Sequence, residues 1–271
     1  MKNCIITPTK YINHKEIWRR SDFLLVLSHL LDPDCTNDYA KEVKKFKTET
    51  WRAIYLDNGL FENHIPERWE SLLRKGMLLW ADYIFAPDVL YDREATEREF
   101  EKFNELKKSY ETDIKLAYVV QASDPIEYLV SYKWAEENPD ITMIWLSILT
   151  LPYCFEWLDH SRDAFAEISK ARMKWIQALD IVINPKKKAH LLWLWDDPVM
   201  ELQAARIAHR FIETNDSCSA YMTWKKGFIY SKKWIPGWKI IEKVDFNNQE
   251  SLNLDQIRNI ARNIDLLKNE I

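Results

Sequence analysis

The sequence predicts an α/β fold, a (β/α)8 barrel of TIM type, built as a single domain over residues 1–271. Eight short runs rich in β-branched and aromatic residues recur along the chain, and longer amphipathic stretches follow most of them. That alternation of periods is the pattern of βα units around a parallel sheet. Several runs are almost continuously apolar, as strands covered on both faces must be. A doubly wound open sheet shares the alternation; the chain length of 271 residues suits the barrel.

The strand-like runs are 4–9 (CIITPT), 22–30 (DFLLVLSHL), 52–57 (RAIYLD), 82–88 (DYIFAPD), 114–121 (IKLAYVVQ), 142–148 (TMIWLSI), 190–195 (HLLWLW) and 211–217 (FIETNDS). The third ends in Asp57-Asn58-Gly59, a hairpin signal. No second strand follows it, so the tripeptide reads as a βα turn, with Gly59 letting the chain leave the strand sharply. A helix follows Pro66. Another follows Asp92 and sets Phe100, Phe103, Leu106 and Tyr110 on one face. Asp124-Pro125 and Asp197-Pro198 each place an N-cap before a first-turn proline. A long helix is expected from Arg162 to Leu179.

Composition narrows the function. At 47% hydrophobic the chain can bury a large core, and no Pro/Gly/Ser linker or repeat divides it. The formal charge of −4 argues against a simple nucleic-acid coat, while leaving room for a local basic surface. No window approaches about 18 uninterrupted apolar residues, so no membrane partner is expected. The opening MKNCIITPTKYINHKE turns charged too early for a secretory signal, which makes the expected location cytoplasmic. Cys4, Cys35, Cys154 and Cys218 form no CxxC pair, so neither a disulfide framework nor a zinc subdomain is expected. Four glycines cannot make GxGxxG or a P-loop, and no cofactor is predicted. The six histidines are dispersed and read as structural or surface residues; no metal site is predicted, with magnesium on the aspartates as the alternative.

Barrel enzymes carry their chemistry at the C-terminal ends of the strands. Those ends present Asp57 with Asn58, Asp88, Gln121, Ser147, Asp196 and Asp216. Asp196 and Asp197 read as helix caps. Asp57, Asp88 and Asp216 can divide nucleophile and proton-transfer roles, and Gln121 adds a donor and an acceptor suited to a polar heterocycle. This set suits chemistry at a glycosidic bond.

In order and spacing, LDNGLFE, FAPDVLYDREAT, YVVQASD, HLLWLWDDPVMEL and ETNDSCSA resemble the tRNA-guanine transglycosylase superfamily over about residues 50–222. The chain is most similar to the short DNA-type relatives that insert 7-deazaguanine bases, many of them from phages. The resemblance implies a cofactor-free base exchange in DNA, or less readily in tRNA, with a free modified purine-like base as second substrate. A phage-encoded copy would act in the host cytoplasm. It implies Asp216 as nucleophile and Asp57 as the proton-handling carboxylate. Asp88 and Gln121 would contact the base edge, with Ser147 and the main chain of 145–148 beside them; Asn58 joins this set as its neighbour on the LDNG turn. The chain departs from the family in QASD, WLSIL and the bulky Trp193 and Trp195, and it lacks the family's zinc cysteines.

The segment 223–239 interleaves Lys225, Lys226, Lys232, Lys233 and Lys239 with Trp224, Phe228, Tyr230, Trp234 and Trp238. Lysines for phosphates and aromatic rings for bases make it a candidate nucleic-acid grip. Two other readings keep the barrel: an N-glycosidase or other nucleotide-modifying enzyme on a small substrate, and a catalytically silent nucleic-acid-binding barrel.

Overall fold

The short apolar runs assemble as eight parallel strands in a nearly closed barrel. A computed structural model describes residues 1–60, 67–158, 165–194, 198, 201–203, 205, 211–217 and 252–269. The strands are β1 (Lys2–Ile5), β2 (Phe23–Leu27), β3 (Ala53–Asp57), β4 (Tyr83–Phe85), β5 (Lys115–Val119), β6 (Ile141–Ser147), β7 (Lys188–Leu192) and β8 (Ile212–Ser217). From β2 to β8 each strand pairs in parallel with the next, and β8 pairs with β1, so that no ladder joins β1 to β2 among the described residues.

One seam, between β1 and β2, is bridged mainly by side chains. Asp22 N donates to Asn3 O at 2.8 Å, while Asn3 N donates to the Asp22 carboxylate at 2.9 Å. Further up, Ile5 N donates to Ser21 Oγ at 3.3 Å and Leu25 N to Cys4 Sγ at 3.1 Å. Backbone donors at the seam thus find partners without a regular ladder.

The helices are α1 (Lys15–Trp18), α2 (Asp38–Thr50), α3 (Trp69–Leu78), α4 (Arg93–Ser109), α5 (Pro125–Glu137), α6 (Thr150–Glu156), α7 (Phe165–Ile183) and α8 (Leu254–Asn269). Their starts follow the chemistry of the chain. Asp92 accepts from Ala95 N at 2.9 Å, and Asp124 accepts from Ile126 N and Glu127 N at 2.8 and 3.0 Å ahead of Pro125. Among the described residues no helix is long and apolar enough to cross a membrane.

Period-two alternation divides the strand residues into two cores. Ile5, Val26, Ile54, Leu56, Ile84, Leu116, Ile144 and Leu191 pack outward with the helices, whereas Cys4, Phe23, Leu25, Tyr55, Phe85, Ala117, Met143 and Trp145 fill the barrel.

Several expectations are corrected. The 22–30 run is not one strand: it stops at Leu27 and turns into a 3-10 helix over Ser28–Leu30. The 4–9 run begins earlier, at Lys2, and ends at Ile5. The 190–195 run is shifted to Lys188–Leu192, because Trp193 takes a left-handed backbone with φ 58. The long helix extends to Ile183 rather than Leu179. Tyr110 leaves the apolar face of α4, capping its end half-exposed. Four helices were not assigned from sequence: the short α1 and α6, the charge-rich α2, and the terminal α8. The last braces the base of the seam: Lys268 Nζ donates to Asp22 Oδ1 at 3.0 Å, and Arg20 Nε to Asp265 at 2.7 Å. Asp197, the proposed cap ahead of Pro198, and the 223–239 segment lie outside the described residues.

Helix α3 approaches β4 at Gly76, where a Cβ would lie 2.4 Å from Ile84 Cδ1 and 3.5 Å from Ile114 Cδ1. Ile84 is itself fully buried and has nowhere to retreat. Gly76→Val should therefore lower stability by about 1–3 kcal/mol through overpacking, despite the better helix propensity. Urea unfolding measures it; unchanged stability would mean that this approach is looser than described.

Candidate active site

Inward-facing residues near the ends of the strands run out of apolar partners and become polar. Asp57 closes β3 on the same face as Tyr55 and is partly exposed; its carboxylate accepts from Gly59 N at 3.2 Å. Gly59 has φ 75, so the chain does leave the strand through a left-handed residue. Ser147 closes β6 on the face of Met143 and Trp145 and accepts from Leu149 N at 3.1 Å. Asp216 lies near the end of β8, fully buried.

Two polar networks organise this mouth. The first joins the ends of β3, β4 and β5. Buried Asp88 accepts from Asn58 Nδ2 at 2.7 Å and from Gln121 Nε2 at 2.5 Å, one bond on each oxygen. Asn58 Nδ2 also donates to Ala86 O at 3.0 Å. Gln121 Oε1 accepts from Tyr91 N at 3.1 Å and from Thr150 Oγ1 at 2.6 Å, so its amide cannot flip without losing both bonds. Below Asn58 its carbonyl accepts from Glu67 N at 2.9 Å, and Glu67 forms a buried ion pair with Lys75 at 2.6 Å. Burial raises the Asp88 pKa to about 6, against the lowering effect of the Asn58 and Gln121 donors.

The second network surrounds Asp216. His190 Nε2 lies 2.6 Å from Asp216 Oδ1, and Trp193 N donates to that same oxygen at 3.1 Å. Asp216 Oδ2 has no hydrogen-bond partner among the described residues. His190 Nδ1 lies 2.7 Å from Thr214 Oγ1, and its ring stacks on Trp145 with centroids 3.5 Å apart. Burial lowers the His190 pKa, opposed by Asp216 and assisted by the positive charge of Arg172. Arg172 donates to Leu192 O at 2.6 Å and to Trp193 O at 3.1 Å, and it is ion-paired with Glu201 where both side chains are fully buried. Removing one partner of such a pair costs about 3–5 kcal/mol, which marks the turn after β7 as strongly held.

The structure thus brings Asn58, Asp88 and Gln121 into one cluster, and it places Asp57, Ser147 and Asp216 on the same mouth. Asp216 and Asp57 belong to strands three apart around the barrel, with β1 and β2 between them. Lys225, Lys226, Lys232, Lys233 and Trp234 lie outside the described residues, as does Asp196. Sequence reasoning missed His190, Thr150, Thr214 and Arg172. The parity of β7 sets His190 on the same face as Leu192, the one signal that could have found it. No group of three or more His, Cys, Asp or Glu side chains among the described residues is placed to hold a metal ion.

No protein-family model matches the chain, and no curated protein matches its sequence.

The raised pKa of Asp88 has a definite sign. The folded protein holds this proton up to about pH 6, whereas the unfolded chain releases it near 3.8. Between those values the unfolded state binds fewer protons, so stability falls as pH rises through the window. Asp88→Asn should flatten that part of the profile, as read by urea unfolding from about pH 4 to about pH 7. A wild-type profile that rises across the window would contradict the assignment.

Proposed function

We propose that the protein exchanges a base at the N-glycosidic bond of a nucleic acid, replacing guanine by a 7-deazaguanine-type base in DNA rather than tRNA. One observation carries this reading: at the barrel mouth Asp216 has one oxygen held by two neighbours and the other without a partner among the described residues. A carboxylate so arranged can attack carbon without first breaking a hydrogen bond. The ordered motifs LDNG, FAPD, VVQ and ETNDS support the transglycosylase form of that chemistry. The missing zinc cysteines and the lysine- and aromatic-rich 223–239 segment support DNA as the acceptor.

In the first half-reaction Asp216 Oδ2 bonds to the sugar C1′. The C1′–N bond breaks with its electron pair moving to the departing base, and the Asp57 carboxyl supplies the proton that base nitrogen needs. In the second half-reaction Asp57 takes a proton from the incoming base, the base nitrogen bonds to C1′, and Asp216 departs as a carboxylate. Asp88 offers an acceptor to the base edge, steadied by Asn58 and Gln121, with Ser147 beside them. The target base must leave its stack, at a cost of a few kcal/mol in a duplex.

The test is release of labelled guanine from DNA and from tRNA in the presence of a free 7-deazaguanine base. Release with matching incorporation is expected from DNA. It should fall by about three orders of magnitude or more in Asp216→Asn, and by about two in Asp57→Ala. Release from free nucleosides alone would favour a small-substrate N-glycosidase. DNA binding without any release would favour a silent binding barrel.

A further inference from the structure

The interior of this barrel is not wholly apolar: a line of polar side chains descends from Asp216 into its aromatic core. His190 is fully buried within it, stacked on Trp145 and edge-on to Phe23 at 6.0 Å. A histidine so enclosed cannot meet substrate itself, yet both ring nitrogens are engaged, by Thr214 and by Asp216.

We propose that His190, oriented by Thr214, is the positioning residue of Asp216: its Nε2–H holds Oδ1 and so aims Oδ2 at the reacting carbon. The assignment deepens the base-exchange reading and rests on it for the identity of that carbon.

The proton count decides the tautomer. Thr214 has one hydroxyl hydrogen and two candidate acceptors, His190 Nδ1 at 2.7 Å and Met143 Sδ at 3.7 Å. A ring nitrogen at the shorter distance is the better acceptor, since a thioether is weak. With the hydroxyl donating to Nδ1, the ring proton sits on Nε2 and points at Oδ1, and Asp216 is a carboxylate. The opposite tautomer would leave Nε2 bare and require the proton to sit on Asp216, which would disable it as a nucleophile.

Among the described residues, the charged and titratable groups around the ring are Asp216 from β8, Arg172 from α7 and Tyr55 from β3, with Cys4 from β1 close to Asp216. Burial and Arg172 both oppose an imidazolium here, so the ring stays neutral and its single N–H is directed. Trp193 N supplies the second donor to Oδ1, from a turn that Arg172 holds by two carbonyls. Donors on Oδ1 also assist the second half-reaction, where negative charge returns to Asp216 as it leaves C1′.

Two measurements test this. Nitrogen-15 NMR of histidine-labelled protein, with the His190 signals identified by their loss in His190→Gln, reads the tautomer without substrate. A neutral ring protonated on Nε2 is expected from about pH 7 to about pH 8. Guanine release provides the second reading. His190→Phe should lower kcat about 100-fold with KM within about threefold, and His190→Gln, whose amide can still donate, should recover at least about tenfold. A ring protonated on Nδ1, an imidazolium in that pH range, or His190→Phe with the wild-type rate would overturn the proposal. If the wild type releases no base from any nucleic acid, the base-exchange reading fails alone. The tautomer in the free protein then still decides whether His190 holds Asp216.

Discussion

A single carboxylate oxygen, Asp216 Oδ1, lies between the imidazole of His190 and the backbone N–H of Trp193. Much of the surrounding structure serves that point. The barrel sets His190 and Asp216 on adjacent strands with inward parity, and Trp145 and Phe23 hold the ring in place. Trp193 reaches its position only by taking a left-handed backbone, an unfavourable state for a bulky residue that persists where surroundings over-determine it. Arg172 does this by binding the carbonyls on both sides of the turn, with Glu201 neutralising it in a fully buried pair. A buried ion pair is weak evidence for stability in general, but it specifies one arrangement of the groups it bonds.

The two carboxylates of the mouth that are fully buried stand in different environments. Asp88 has a donor on each oxygen and is lifted to about pH 6 by burial, whereas Asp216 has both donors on one oxygen. The first arrangement suits recognition of a polar edge through a fixed acceptor. The second suits bond formation at the oxygen left over. Asp57, partly exposed and tied to the turn at Gly59, is placed where a proton can pass to and from solvent. Carboxylates on one barrel mouth given such distinct settings can divide the labour of a two-step displacement.

How much of this was legible follows from what each signal measures. Buried strands such as LLVL and IYL announce themselves because both faces are apolar, and Asp92 and Asp124 are readable as caps because the cap bond is local. Helix α2 was missed because its sequence DYAKEVKKFKTET is dominated by charge, and its stability comes from burying Tyr39, Val43 and Phe46 against a core distant in sequence. Among the site residues, Asp57, Asp88, Gln121 and Asp216 were visible as polar groups ending apolar runs. His190 was not, because it starts such a run, and its meaning depends on Asp216 lying 26 residues away. Arg172 was hidden more deeply: its partners are two carbonyls and a carboxylate that only the folded chain brings together.

In the proposed base exchange Asp216 forms the covalent bond to the sugar. The direct measurement is tandem mass spectrometry of peptides from protein trapped with a DNA oligonucleotide in the absence of incoming base. A deoxyribose-linked remnant on Asp216, in the peptide that contains IETNDS, is the predicted result. Attachment at Asp57 or Asp88 instead, or base exchange proceeding with no covalent remnant on any residue, would contradict it.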